Sequence, residues 1–233
     1  MRFPFQNILR VAGLAVVALF STHSLASIVI NGTRVIYPSD QKEVSVRLDN
    51  TGNSPVLIQS WLDTGDINAK PAAIKVPFIL SPPINRVEGG KGQTLRISYS
   101  GGALPMDKES VFWLNVLEVP AKKQAKPDEN YLQMAFRSRI KVFYRPAGLA
   151  GNANDAAQAV TWSVKGSSLQ AFNPTPYYVS FVSLTVNGKK IEGEMVAPRS
   201  ALTLAIPANK GNTVSGEFVN DYGAINSFNT EIK

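Results

Sequence analysis

Cysteine is absent from the 233-residue chain, and histidine occurs once, at His23. Without thiols there is no disulfide staple, no thiolate nucleophile and no iron–sulfur ligand set. With a single imidazole the common zinc sites and the Ser-His-Asp and Cys-His centres are out of reach. No glycine-rich phosphate loop and no aspartate-rich calcium loop is present. Acidic residues number only 17. A carboxylate pair for glycoside hydrolysis, whose members can stand far apart along a chain, is the one catalytic constellation this composition leaves open, and nothing selects it. The expectation is a protein with no metal and no cofactor that is not an enzyme. Amphipathic helices are lacking too; only residues 155–159 have the makings of a single turn.

Long apolar runs are also missing after the first two dozen residues. Within those, Arg2 and Arg10 give a positive start, residues 11–20 form a short apolar stretch, and Ser24-Leu25-Ala26 is a small-x-small cleavage site. Ten residues fall well short of the roughly 20 needed to span a bilayer. Residues 1–26 therefore read as a signal peptide cut after Ala26 rather than a retained anchor, and export follows. His23 leaves with that segment. The remainder, 207 residues, suits two domains of about 100. Its charge is uneven: residues 27–146 carry net +5 and residues 147–233 carry none. The first half is the surface for an anionic partner. The basic residues are scattered, so no nucleic-acid partner is expected.

What is present is β pattern throughout. Strands are predicted over residues 28–30, 34–37, 44–48, 56–61, 94–99 and 111–117, separated by turn clusters at 50–53, 63–66 and 88–92. Residues 129–146 read as one long strand, apolar at alternate positions Leu132, Met134 and Phe136, with Gln133, Arg137, Arg139 and Lys141 on its other face. This makes about seven strands, enough for an immunoglobulin-like sandwich. The small-residue stretch 146–154 reads as a hinge. Beyond it, strands are predicted at 159–164, 169–172, 177–186, 201–206 and 213–220, with Asn187-Gly188 as a hairpin turn. The fold class is all-β, two sandwiches of residues 27–146 and 147–233; a single continuous β domain is the competing reading. Lysine-rich residues 121–129 read as a loop.

Several blocks carry a family resemblance. Residues 104–120, with Pro105, Asp107, Glu109, Phe112, Trp113, Asn115 and Pro120, resemble the signature of the PapD-like periplasmic pilus chaperones. Residues 33–38, 81–88, 92–97, 173–178 and 220–223 are similar to further blocks of that family, in order. The resemblance implies two immunoglobulin-like domains set at an angle around a cleft. It implies a chaperone that lends a strand to an incomplete pilin subunit, prevents its aggregation and delivers it to an outer-membrane usher. It matches Arg34 and Lys141 to cations that hold the subunit's terminal carboxylate, and Leu132, Met134 and Phe136 to the donor-strand side chains. Glu109, Arg145 and Asp221 match an interdomain charge cluster, and Pro55, Pro82 and Pro83 match prolines of usher contact. The short loop without flanking cysteines is similar to the short-loop subclass. Self-association through the exposed strand is a further expectation. A secreted fimbrial subunit is the rival reading, but a subunit needs about one domain and a donor extension.

Successive strand residues alternate faces, so Lys141 and the even-numbered apolar trio lie on opposite sides of an unbroken strand. If both serve one guest, a bulge or twist between Phe136 and Lys141 is expected.

Overall fold

The computed structural model describes residues 27–121 and 132–233. The signal-peptide segment and most of the lysine-rich loop lie outside these residues. The first half contains β1 (Ile28–Ile30), β2 (Arg34–Pro38), β3 (Glu43–Asn50), β4 (Val56–Asp63), β5 (Phe78–Ser81), β6 (Ile84–Val87), β7 (Gly92–Tyr99), β8 (Ser110–Pro120) and β9 (Phe136–Arg145). One sheet runs β1-β3-β7-β5 and the facing sheet runs β2-β9-β8-β4-β6. Alternation decides which side chains meet between them. Val46 and Leu48, Leu95 and Ile97, Leu114 and Val116, and Val142 and Tyr144 all turn inward and are buried. An aromatic group of Tyr37, Phe78, Tyr99, Phe112 and Tyr144 closes one end, with ring centroids 4.8–6.1 Å apart. The Tyr37 hydroxyl donates to the Lys42 carbonyl at 2.9 Å and accepts from the Tyr99 N–H at 2.9 Å. The polar tip of this fully buried ring is thereby satisfied.

The second half contains one helical turn, α1 (Ala156–Ala159), where the sequence pattern allowed one. Then follow β10 (Thr161–Lys165), β11 (Ser168–Asn173), β12 (Val179–Val186), β13 (Lys189–Glu192), β14 (Met195–Val196), β15 (Ser200–Pro207), β16 (Thr213–Val219) and β17 (Ile225–Glu231). They make sheets β10-β11-β15 and β13-β12-β16-β17, with β14 also on β12. A separate core of Trp162, Leu169, Leu184, Leu204, Ile206 and Ile232 fills the space between them. Asn187 and Gly188 have φ of 52° and 75° and join β12 to β13 as the expected tight hairpin.

The segment between the sandwiches is tied down more than a free hinge would be. The Ala147 N–H donates to the Ser39 hydroxyl at 2.9 Å, and the Tyr177 hydroxyl lies 3.2 Å from the carbonyls of Leu149 and Gly151.

Two expectations about β9 are corrected. Of the strand expected over 129–146, residues 129–131 lie outside the described residues and 132–135 are not strand; β9 begins at Phe136, because Glu118 opposite Phe136 is the last rung and Pro120, two residues on, has no N–H with which to extend the ladder. The expected bulge is also missing. The ladder between β8 and β9 runs from Phe136 to Tyr144 without a register shift, so Phe136 and Lys141 do face opposite sides of the sheet.

Candidate functional site

β9 has two neighbours of unequal length. β8 covers it along its whole length, but β2 pairs in parallel only from Lys141 to Arg145. From Phe136 to Ile140 one edge of β9 has no strand beside it among the described residues. Its backbone donors and acceptors there form a template for another strand.

Where the edge is closed off, two cations meet. Arg34, the first residue of β2, sits opposite Lys141 in the parallel ladder. The Arg34 guanidinium lies over the Phe143 ring, 5.5 Å from its centroid, and its buried Nε has no hydrogen-bond partner. The Lys141 ammonium has one weak contact, to the Ser180 hydroxyl of the second sandwich at 3.4 Å. Burial pushes both groups below their ordinary values; for Lys141 the charge of Arg34 pushes the same way, and for Arg34 the carboxylates of Asp221 and Glu109 push back. Two half-buried cations of like charge, each short of partners, are held in a state that an incoming anion would relieve. They open into a cavity of about 470 Å³ walled by Trp113 and Arg139 on one side and by Val219 and Ile225 of the second sandwich on the other. The β16–β17 turn closes tightly on the start of β2. A Cβ at Gly223, which has φ of +82°, would stand 2.6 Å from the Thr33 hydroxyl.

Arg145, at the other end of the parallel pairing, joins the two sandwiches. Its Nε donates to Glu109 Oε1 at 2.6 Å, and its two terminal nitrogens donate to the Asp221 carboxylate at 2.7 and 2.9 Å. The second Glu109 oxygen accepts the Tyr178 N–H at 2.8 Å. Burial works against the Arg145 charge, but the hydrogen bonds and charges of both carboxylates outweigh it and lift its pKa. Burial raises the Glu109 carboxyl, with Arg145 drawing it back down. The three residues expected to cluster are thus in contact.

Leu132 and Met134, just before β9, are exposed by 82% and 40%, and Phe136 is half-buried and stands outside the core. Phe136 shares the even-numbered face of β9 with the buried Val142 and Tyr144. Of the prolines, Pro55 precedes the rung Val56–Val87, whereas Pro82 and Pro83 precede the opposite end of β6 at the rung Gln59–Ile84. The ladder separates them, and they form no single patch.

Sequence reasoning missed one part of the cleft wall. Asp63, nearly fully buried at the end of β4, accepts from Asn115 Nδ2 at 2.7 Å and from the Gly65 N–H at 2.7 Å, and pairs with Arg139. Arg139 lies over the Trp113 ring, 5.0 Å from its centroid. The signal was the odd-numbered basic row on β9; what hid it was the reading of Asp63 as a mere turn residue.

The chain matches the "Pili and flagellar-assembly chaperone, PapD N-terminal domain" over residues 27–150 and the "Pili assembly chaperone PapD, C-terminal domain" over residues 155–230. It belongs to the PapD family of pilus-assembly chaperones. Among PapD-family proteins, the probable fimbrial chaperone YadV of Escherichia coli K12 is 51% identical over 219 residues, covering 88% of this chain and 89% of that protein. The chaperone FimB/FhaD of Bordetella pertussis is 42% identical, covering 94% of each. The crystal structure of YadV superposes with a TM-score of 0.74 at 46% identity, covering 88% of this chain and all of that one. The SafB chaperone of Salmonella enterica, solved in complex with SafA pilin, gives 0.77 at 30% identity, covering 89% and 97%.

Proposed function

We propose that this chain is exported to the periplasm after removal of residues 1–26 and there holds pilin subunits by adding its own strand to their incomplete sheets. The domains of residues 27–146 and 147–233 are the two walls of the site. The observation that carries the reading is the bare β9 edge from Phe136 to Ile140 that runs directly into the Arg34–Lys141 pair.

A guest added at this edge needs no bulge between anchor and donor residues. A guest strand lying beside β9 in the same direction occupies the lane that β2 takes up from Lys141 onward. Its last residue must stop where β2 starts, and its terminal carboxylate arrives between Arg34 and Lys141. Meanwhile Leu132, Met134 and Phe136 lie on the core-facing side and enter the guest's open groove. Anchor and donor side chains serve one guest from two faces because the guest joins at the edge. Each side chain buried this way is worth roughly 1.5–3 kcal/mol before ordering costs. Glu109, Arg145 and Asp221 fix the two walls of the cleft. Delivery to an outer-membrane usher follows, with Pro55 just before β4 and the Pro82–Pro83 pair just before β6 as two separate contact points. In the free protein the same bare edge offers a second copy a place to pair.

The test is co-expression with a cognate fimbrial subunit and recovery of the complex from the periplasm. Arg34→Ala and Lys141→Ala each remove one partner of a desolvated ion contact, which typically costs about 2–5 kcal/mol, or roughly 30-fold or more in affinity. Full recovery with both variants would sink the anchor assignment.

A further inference from the structure

Glu118 stands nearly fully buried on the core side of β8, yet no lysine or arginine lies within ion-pair distance among the described residues. Buried carboxylates are ordinarily paired, since an uncompensated buried charge is strongly unfavourable. Among the described residues, its hydrogen bonds come from two consecutive ones. The Ser27 backbone nitrogen lies 3.1 Å from Oε1 and 3.0 Å from Oε2, the Ser27 hydroxyl donates to Oε1 at 2.6 Å, and the Ile28 N–H donates to Oε2 at 2.9 Å. One nitrogen thus sits astride both carboxylate oxygens. A peptide N–H has a single hydrogen to share between them; an ammonium has three and carries the missing charge.

Ser27 is the residue that cleavage after Ala26 makes the first of the chain. We infer that Glu118 is the socket for the α-ammonium created by that cleavage, and that processing supplies it with a buried ionic partner. The reading rests on the proposed export of the chain, but on no property of the guest-binding edge. The pair has a structural consequence. Ser27 leads into β1 of one sheet, and Glu118 lies on β8 of the other, directly opposite Phe136 where β9 begins. The new terminus therefore pins the two sheets together at the end of the sandwich from which the strand is offered. β1 is only three residues long and pairs with β3 alone among the described strands.

The test uses the full chain expressed with its leader and purified from the periplasm. Intact mass and N-terminal sequencing are expected to give Ser27 as the first residue; any other start overturns the inference. Next, Glu118→Gln, a variant with two alanines inserted between Ala26 and Ser27 and cut before them, and the combination of both are compared by thermal melting. Each single change is expected to lower Tm by several degrees. The combined variant is expected to fall little further, because both remove the same contact. Full additivity, or an extended chain as stable as the parent, overturns the proposal. Should Glu118→Gln fail to accumulate, the extended chain alone still decides, together with acylation of the α-amine at neutral pH. That reaction should be at least tenfold slower in the parent than in the unfolded chain, and an equal rate counts against the socket. Subunit capture measured on the same preparations tests the guest-binding reading separately. An extended chain as stable as the parent that also captures normally would sink this inference and spare that one.

Discussion

Lys141 shows how a single residue can be tuned against the stability of its own fold. Its ammonium is half-buried, next to the guanidinium of Arg34, with one weak hydrogen bond to Ser180. Its pKa is therefore held below the ordinary 10.5 by burial first and by Arg34 second. A lysine whose pKa is lower in the folded than in the unfolded chain binds fewer protons when folded. Stability then rises as pH increases through the folded pKa toward 10.5. Replacing Lys141 with methionine keeps the stem and removes the charge. The free chaperone is expected to melt no lower, and at neutral pH higher, than the parent, and to lose the alkaline gain. Subunit capture is expected to fall as steeply as in Lys141→Ala. Melting curves across pH, set beside periplasmic recovery, check both halves. A methionine variant that is destabilised at neutral pH would show that the ammonium is well satisfied without a guest.

At the scale of the strand, what matters is that β9 is longer than the partner beside it. Leu132 and Met134 stand exposed just before it. Met134→Glu is expected to leave the melting temperature of the free protein within about a degree, because the side chain touches no core, and to weaken subunit capture roughly ten- to hundredfold. Unchanged capture in a pull-down or titration would mean that the segment before Phe136 does not enter the guest. Alternation along this segment was readable from residues alone, as were β1 to β4, β7 and β8, because their apolar positions recur at every second residue. The limits of β9 were not readable. They depend on Pro120 in a partner strand and on where β2 begins, and neither is a property of residues 129–146. β5 and β6 were missed because four-residue strands on either side of Pro82 and Pro83 carry too few alternations. β17 was missed because a mostly exposed edge strand such as Ile225–Glu231 has no apolar face to announce it. Asn187-Gly188 was readable because both residues tolerate the positive φ that the turn requires. For the site, Arg34 and Lys141 came only through the family signature. Their adjacency comes from a parallel pairing between strands a hundred residues apart. Spacing does not reveal such a contact.

For the molecule as a whole, the cleft exists only while two independently cored sandwiches keep their relative placement. Two kinds of ion pair cross between them, and their surroundings rank them. Asp107 and Arg199 meet at 2.6 Å, but their side chains are 60% and 52% exposed, so solvent screens the pair and the two flexible side chains oppose it with entropy. Asp107→Ala is expected to change neither stability nor capture measurably. Arg145 is different. Among the described residues it is the cation in direct contact with both Glu109, whose side chain is 2% exposed, and Asp221, at 20%. Removing it leaves two carboxylates facing each other with burial opposing the charge on one of them. Breaking such a buried arrangement typically costs about 3–5 kcal/mol. Because each sandwich keeps its own core in Arg145→Ala, the loss should fall on the junction. Small-angle scattering should show a larger and more variable radius of gyration. Melting should split into two transitions, and capture should weaken although Arg34, Lys141 and the β9 edge are intact. The pH response gives the sign. Burial already raises the Glu109 carboxyl above its ordinary 4.5, and Arg145 is the main group opposing that rise. In the variant, the folded state takes up a proton on Glu109 more readily than the unfolded chain does. Its deficit relative to the parent should therefore shrink as pH falls toward the carboxylate range. A deficit that instead grows on acidification, or scattering identical to the parent's, would show that the placement of the sandwiches is set by the 147–153 connection and not by this charge cluster.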